Sequence, residues 1–245
     1  MSGKDKLRKF RENESFSCLL QPATAEVLGT DYRLKGRWGK EFFRNDNPIV
    51  LELGCGKGEY TVGLAEMNPG TNYIGMDIKG ARLWKGAKYV HENSVPNAAF
   101  LRTRIEFIDS VFAPGEISGI WITFADPQIG RERKRLTSPL FLERYRRVMD
   151  GNGIVHLKTD SKYLYSYTKA LAVQNGLEIL ADTEDLYGER DDVGKELSIK
   201  TFYESHYLKM GMPINYMAFR IGDVPLKSPQ WDGSALAAEH VRIKF

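Results

Sequence analysis

The chain has 245 residues, 42% of them hydrophobic, and a formal net charge of +3; this allows one large domain with a full core and excludes arguing a nucleic-acid partner from overall charge. With two cysteines, Cys18 and Cys55, no basic-then-apolar leader and no apolar stretch of membrane-spanning length, a reduced, cytoplasmic protein without membrane association is expected. The histidines His91, His156, His206 and His240 are scattered, and none pairs with a cysteine at metal-ligand spacing, so no metal is expected.

In chain order, the basic and weakly patterned start "MSGKDKLRKFREN" belongs to an extension over residues 1–45 that is expected to pack loosely. Apolar runs of strand length follow at 48–54, 72–78, 98–103, 119–126, 153–160, 177–183 and 214–222. Segments of helical period lie between most of them, at 59–67, 81–92, 139–150 and 162–175. Near-continuous apolar strands alternating with helices predict an α/β fold: a mostly parallel seven-stranded sheet covered by helices on both faces, spanning 46–222. Ser138 and Pro139 suit a helix start. The tail 223–245 carries Pro225, Pro229 and Gly233 and is also expected to pack loosely.

The first strand runs into "LELGCGKGEY", where Gly54, Gly56 and Gly58 make a tight turn before a helix, a context in which backbone approaches a ligand closely. A dinucleotide fingerprint needs glycine at position 59, which is Glu59, so hydride chemistry is the weaker reading. Glu52, just before the first glycine, would repel a pyrophosphate but suits a cationic amino-acid moiety. Asp77 closes the second strand at the offset where an acid hydrogen-bonds ribose hydroxyls. The ligand expected here is cationic and carries a ribose.

The fourth strand ends at Asp126, locked against Pro127, and opens into Arg131, Arg133, Lys134 and Arg135. A charge run is usually a solvated face, but one directly after a strand-end acid has a reason to be positive: phosphates would pass there. If they do not, the arm around Lys4, Lys6, Arg8 and Lys9 is the alternative grip. Asp160 ends the next strand in "KTD"; taken alone it reads as a helix N-cap. Glu204 in "TFYE" follows the acidic loop 182–192, which would gate the site. His156 reads as a satisfied core histidine, and Trp84 and Trp121 as packing, with Trp231 in the tail open to packing or to base stacking.

On these motifs the chain resembles a family. Gly54–Gly58 with Asp77 is similar to the S-adenosylmethionine site of class I, Rossmann-like methyltransferases, and "FADPQIGRERKRLT", "KTD" and "TFYESHYLKMG" together resemble the bacterial tRNA (guanine-N7)-methyltransferases. The resemblance implies methyl transfer from S-adenosylmethionine to N7 of a guanine in the variable loop of tRNA. Glu52 and Asp77 would bind the cofactor, Asp126 would be the acidic residue of the catalytic site, and Asp160, Thr201 and Glu204 would contact tRNA. Two departures stand out. At the end of the third strand, where the family carries an acid or amide and a small residue, this chain has Arg104, Ile105 and Glu106; backbone groups there or Glu106 would hold the adenine. Gln128, Ile129 and Gly130 replace the family's Trp-Pro-Lys, leaving Arg131 or Arg133 to stand in for its lysine. A methyltransferase of small molecules, or an RNA-binding module with an inactive cofactor pocket, are the alternatives, and both a monomer and a homodimer remain open.

Overall fold

The structure, a computed structural model, describes residues 3–189 and 192–243. Arg190 and Asp191, within the loop expected to gate the site, and the side chains of Lys4 and His240 lie outside the described residues. In chain order the elements are α1 (Gly3–Asn13), β1 (Leu19–Leu20), β2 (Ile49–Leu53), α2 (Glu59–Met67), β3 (Asn72–Asp77), α3 (Gly80–Asn93), β4 (Ala98–Arg102), α4 (Ile108–Val111), β5 (Ile117–Thr123), α5 (Pro139–Val148), β6 (Met149–Thr159), α6 (Lys162–Gln174), β7 (Glu178–Thr183), α7 (Phe202–Lys209), β8 (Asn215–Arg220) and α8 (Ser234–Ile243).

The sheet order is β1-β4-β3-β2-β5-β6-β8-β7. All pairings are parallel except those of β8, which runs antiparallel between β6 and β7. The seven expected strands are all present. The eighth is β1, a two-residue strand paired with β4 from within the amino-terminal extension. The central strands are buried on both faces, which is why they read as continuous apolar runs. On one face Leu51, Leu53, Ile120, Ile122, Val155 and Leu157 pack with α5 and α6; on the other, Tyr73, Phe100 and Trp121 pack with α2 and α3. His156 stacks on Trp121 with ring centroids 4.0 Å apart, and its Nδ1 lies 2.9 Å from the Tyr216 hydroxyl. Burial pushes its pKa down to about 4, so it is a neutral, satisfied core histidine.

The strand order reverses at β2, with β3 on one side and β5 on the other. The loops leaving the carboxyl ends of β2 and β5 therefore flank the crevice where open α/β sheets bind ligands.

Both flanks pack more closely than their composition suggests. α1 lies on α3 with the Arg8 guanidinium 5.0 Å and the Lys9 ammonium 4.8 Å from the Trp84 ring, whose Nε1 donates to Glu12. The Asn13 amide donates to the Gly80 carbonyl from a buried position. At the other end, Gln174 and Asn175 exchange hydrogen bonds with the backbone of residues 227–230 and lay the tail along the end of α6. Ser138 occupies the N-cap position of α5 with Pro139 following, but its hydroxyl makes no capping bond and is buried without a partner.

Candidate active site

The turn after β2 shows what each glycine is for. Gly54 and Gly56 have φ of 75° and 58°, and a Cβ on Gly56 would meet nothing within 4 Å, so this backbone faces open space where a ligand can come close. Gly58, expected with them at the ligand, is required by packing. Its φ is 73°, and a Cβ there would stand 2.4 Å from Phe100 and close to Gly86, so it lets α2 seat against β4 and α3.

Glu52 is buried at the floor of the cavity beside this turn. It accepts from Thr61 N at 2.8 Å, from the Thr61 hydroxyl, and from the Thr123 hydroxyl at 2.6 Å. Its neighbour across the sheet is Gly75, where a Cβ would stand 2.7 Å from the Thr61 hydroxyl, so the small residue makes room for this cluster. Desolvation still outweighs these donors and, with Asp77 nearby, pushes the Glu52 pKa up to about 7. A cationic partner beside such a carboxylate favours its charged form.

Asp77 accepts the Gly56 amide at 3.0 Å on one oxygen and the Lys79 amide at 2.8 Å on the other. It fixes the glycine turn to the end of β3, and each oxygen keeps a second lone pair for an incoming hydroxyl. The turn carrying Arg104, Ile105 and Glu106 follows β4, next to β3. Arg104 and Glu106 are exposed and Ile105 packs against the core; none of the three lines the cavity above Glu52.

β5 delivers Asp126. The segment is bracketed by two non-glycine residues in left-handed conformation, Phe124 and Gln128, both at φ 50°. Backbone strain of this kind costs about 1–3 kcal/mol per residue and concentrates at functional sites. Asp126 is exposed, and its Oδ1 accepts the Gln128 amide at 2.9 Å. Phe124 lines the cavity above Glu52 and stacks on Tyr207 of α7.

Asp160 is not the helix cap that its position suggested: Ser161 caps α6 by accepting from Leu164 N. Asp160 instead hydrogen-bonds the Tyr207 hydroxyl, whose pKa is pushed up first by burial and then by the Asp160 charge. It lines a second cavity of about 810 Å³, walled also by Phe202, Tyr203, His206 and Tyr207. α7 stands between the two cavities, and Tyr203 borders both.

Thr201 and Glu204 do not present their side chains outward. Thr201 caps α7 and forms a reciprocal capping box with Glu204. Glu204 is fully buried, 2.7 Å from the Lys158 ammonium, and accepts from Tyr187 at 2.5 Å. This corrects the expectation that Glu204 meets a substrate: its charge is spent on Lys158. Lys158, the first residue of "KTD" and given no role from sequence, also donates to the carbonyls of Leu197 at 2.7 Å and Ile199 at 3.0 Å. Together with the Tyr60 hydroxyl bond to the Glu196 carbonyl, this pins the loop before α7 across α2. The pinned segment, a strap, follows the loop 182–192 expected to gate the site, and the described residues of that loop are tethered too, by Tyr187 donating to Glu204 and by the Leu186 amide donating to the Ile214 carbonyl. The clue was a lysine inside the apolar run "GIVHLKTD", where a buried cation needs a partner.

In the basic loop, Arg131, Arg133 and Lys134 are exposed and form no ion pair among the described residues. Arg135 is 2% exposed and takes no part in that surface.

A family model described as "Putative methyltransferase" matches residues 46–217. The chain is 52% identical over 223 residues to the tRNA (guanine-N(7)-)-methyltransferase of Christiangramia forsetii, covering 90% of this chain and all of that one. Among solved structures it is similar to the 16S rRNA methyltransferase KamB, with a TM-score of 0.56, 13% identity and coverage of 72% and 89% of the two chains. It is also similar to a SAM-dependent methyltransferase from Aquifex aeolicus, with a TM-score of 0.50, 14% identity and coverage of 71% and 82%.

Proposed function

Since the chain belongs to the family of tRNA (guanine-N(7)-)-methyltransferases, we propose that it methylates guanine N7 in tRNA using S-adenosylmethionine, with the variable-loop guanine as target. The observation that carries this reading is the pairing at the topological switch point of two acid-bearing turns: Glu52 and Asp77 around the glycines, and Asp126 at the end of β5. Guanine N7 has an in-plane lone pair and no proton to lose, so this chain needs no general base. It has to supply position and charge. Guanine's N1–H and N2–H donors face a carboxylate that accepts from both, which selects the base and aims its opposite edge. Methylation leaves the purine cationic, and the Asp126 charge favours that state as it develops. Asp160 flanks the approach from the end of β6.

The residues around the glycine turn fit the cofactor. S-adenosylmethionine supplies an electrophilic methyl on a sulfonium. Glu52 at the floor suits its ammonium, the open backbone at Gly54 and Gly56 admits its chain, and Asp77 suits its ribose. With the Glu52 pKa near 7, its charged form is a minor species at pH 6 and the major one at pH 7.5. Calorimetric affinity for S-adenosylmethionine is expected to rise severalfold over that window, below the range near pH 8 where an α-amino group loses its own proton. Glu52→Gln should bind weakly and without this rise; a wild-type affinity flat in pH would remove the ammonium from Glu52.

The basic loop supports an RNA substrate over a small molecule. Arg131, Arg133 and Lys134 stand exposed beside Asp126 and are the phosphate-binding groups of this reading, with Arg131 or Arg133 in place of the family's lysine. Replacing the three with alanine should weaken tRNA binding and lower its log–log salt slope by about 0.7–0.9 for each phosphate no longer neutralised. Cofactor affinity should not change, because the glycine turn and Asp77 lie on other elements. Labelled methyl donor and transcribed tRNA test the whole reading: label is expected on RNA; its absence with cofactor bound would leave a methyltransferase of small molecules, and its absence with tRNA bound but no cofactor an RNA-binding module.

A further inference from the structure

Arg135 is a buried cation without a carboxylate partner among the described residues. Its guanidinium lies 3.9 Å from the Tyr167 ring centroid and 5.0 Å from that of Tyr163. Its Nε donates to the Pro127 carbonyl at 2.8 Å; its Nη2 lies 3.3 Å from the Gln128 carbonyl and 3.1 Å from the Tyr163 hydroxyl. Carbonyl dipoles and aromatic faces replace a counterion, an arrangement that a planar guanidinium satisfies and a lysine does not.

The Pro127 carbonyl and the Gln128 N–H are the two ends of one peptide unit. Arg135 holds the carbonyl, and the N–H donates to Asp126 Oδ1 at 2.9 Å. That peptide is therefore clamped at both ends, in a segment kept at a left-handed φ at Gln128. Hydrogen bonds in such a chain polarise one another, so a cation on the carbonyl strengthens the N–H as a donor to Asp126.

The cage is closed from the tail. Trp231 lies edge-on to Tyr163 at 4.9 Å and to Tyr167 at 5.7 Å. Its backbone is delivered by the bonds from Gln174 and Asn175 to residues 227–230. Trp231 lies outside residues 46–217, the span of the family match.

We infer that Arg135, caged by Tyr163, Tyr167 and the tail residue Trp231, is a positioning residue that aims the Asp126 carboxylate through the Pro127–Gln128 peptide, and does not bind phosphate. The inference rests on the assignment of Asp126 to the reacting base. A point cation in place of the fork loses at least one of the two carbonyl bonds, and removal of Trp231 opens one wall of the cage.

The test uses the full chain with Arg135→Lys, Trp231→Ala, Trp231→Phe and the Arg135→Lys/Trp231→Ala double variant. For Arg135→Lys, kcat on tRNA is expected to fall about tenfold or more, as misplacement of a reacting group does. The tRNA affinity and its salt slope, and the S-adenosylmethionine affinity, should stay at wild-type values. Trp231→Ala should fall in the same sense and Trp231→Phe should recover most of the loss. The double variant should be less impaired than the product of the two single effects, because both act on one unit. Hydrogen exchange at the Gln128 amide should speed up in Arg135→Lys and Trp231→Ala. A reduced salt slope with unchanged kcat in Arg135→Lys would make Arg135 a phosphate ligand and overturn the inference. So would wild-type turnover in Trp231→Ala, a readout that decides the matter even if Arg135→Lys does not fold. Wild-type protein that binds cofactor yet methylates no tRNA would sink the assignment of Asp126, while the exchange at Gln128 would still report on the clamp.

Discussion

Asp126→Asn is expected to lower turnover by about two orders of magnitude or more while leaving tRNA and S-adenosylmethionine affinities close to wild type. Asparagine keeps the side chain's size and one acceptor, so the turn to the Gln128 amide can still form. What it loses is the negative charge opposite a base that becomes cationic as its N7 is methylated. Interactions present mainly in the transition state act on kcat and little on binding, and removing one preorganised electrostatic partner costs about 10²–10³ in rate. Single-turnover rates with saturating cofactor, set beside equilibrium tRNA affinities, separate the two effects. Equal losses in rate and affinity would mean that Asp126 only holds the base; no loss in either would make it structural.

The second large effect concerns the strap and not the chemistry. Lys158→Met is expected to destabilise the protein by about 3–5 kcal/mol, the cost of leaving one partner of a buried ion pair unpaired. Lys158 and Glu204 are both fully buried 2.7 Å apart, and the same ammonium holds the Leu197 and Ile199 carbonyls. For a chain of this size that corresponds to a fall in Tm of about 6–20 °C. Lys158→Met combined with Glu204→Gln should recover part of the loss, because no charge is then stranded. Thermal unfolding of the three proteins checks this. If Glu204→Gln alone left stability unchanged while abolishing tRNA binding, Glu204 would be a substrate-binding residue reached by movement of α7, and the buried pair would be incidental.

The parts of this protein that were legible from sequence are those where one local pattern has one physical solution. Glycines between a strand and a helix, an acid at the end of the next strand, and an Asp-Pro at the end of another each occupy the expected place at the switch point. The misreadings share a cause: they concern polar residues whose partners are distant in the chain. Glu204 reads as a surface acid until β6 brings Lys158 beneath it, forty-six positions earlier in sequence. Arg135 cannot be told from Arg131 or Arg133 by composition, since its burial depends on Tyr163 and Tyr167 spaced one turn apart on α6 and on a tryptophan in the tail. α1 escaped notice because it packs through the charged ends of Arg8 and Lys9 on Trp84 and through Asn13, with little of an apolar stripe. The need for glycine at position 58 is of the same long-range kind, since Phe100 across the fold leaves no room for a Cβ there.

Identification of the modified nucleoside tests the central claim most directly. Transcribed tRNA incubated with the protein and S-adenosylmethionine, then digested to nucleosides and analysed by mass spectrometry, is predicted to yield 7-methylguanosine, and oligonucleotide fragments of the same RNA are predicted to carry the methyl in the variable loop. A methyl group on another base or on ribose, or unmodified RNA from protein that binds the cofactor, would contradict the account.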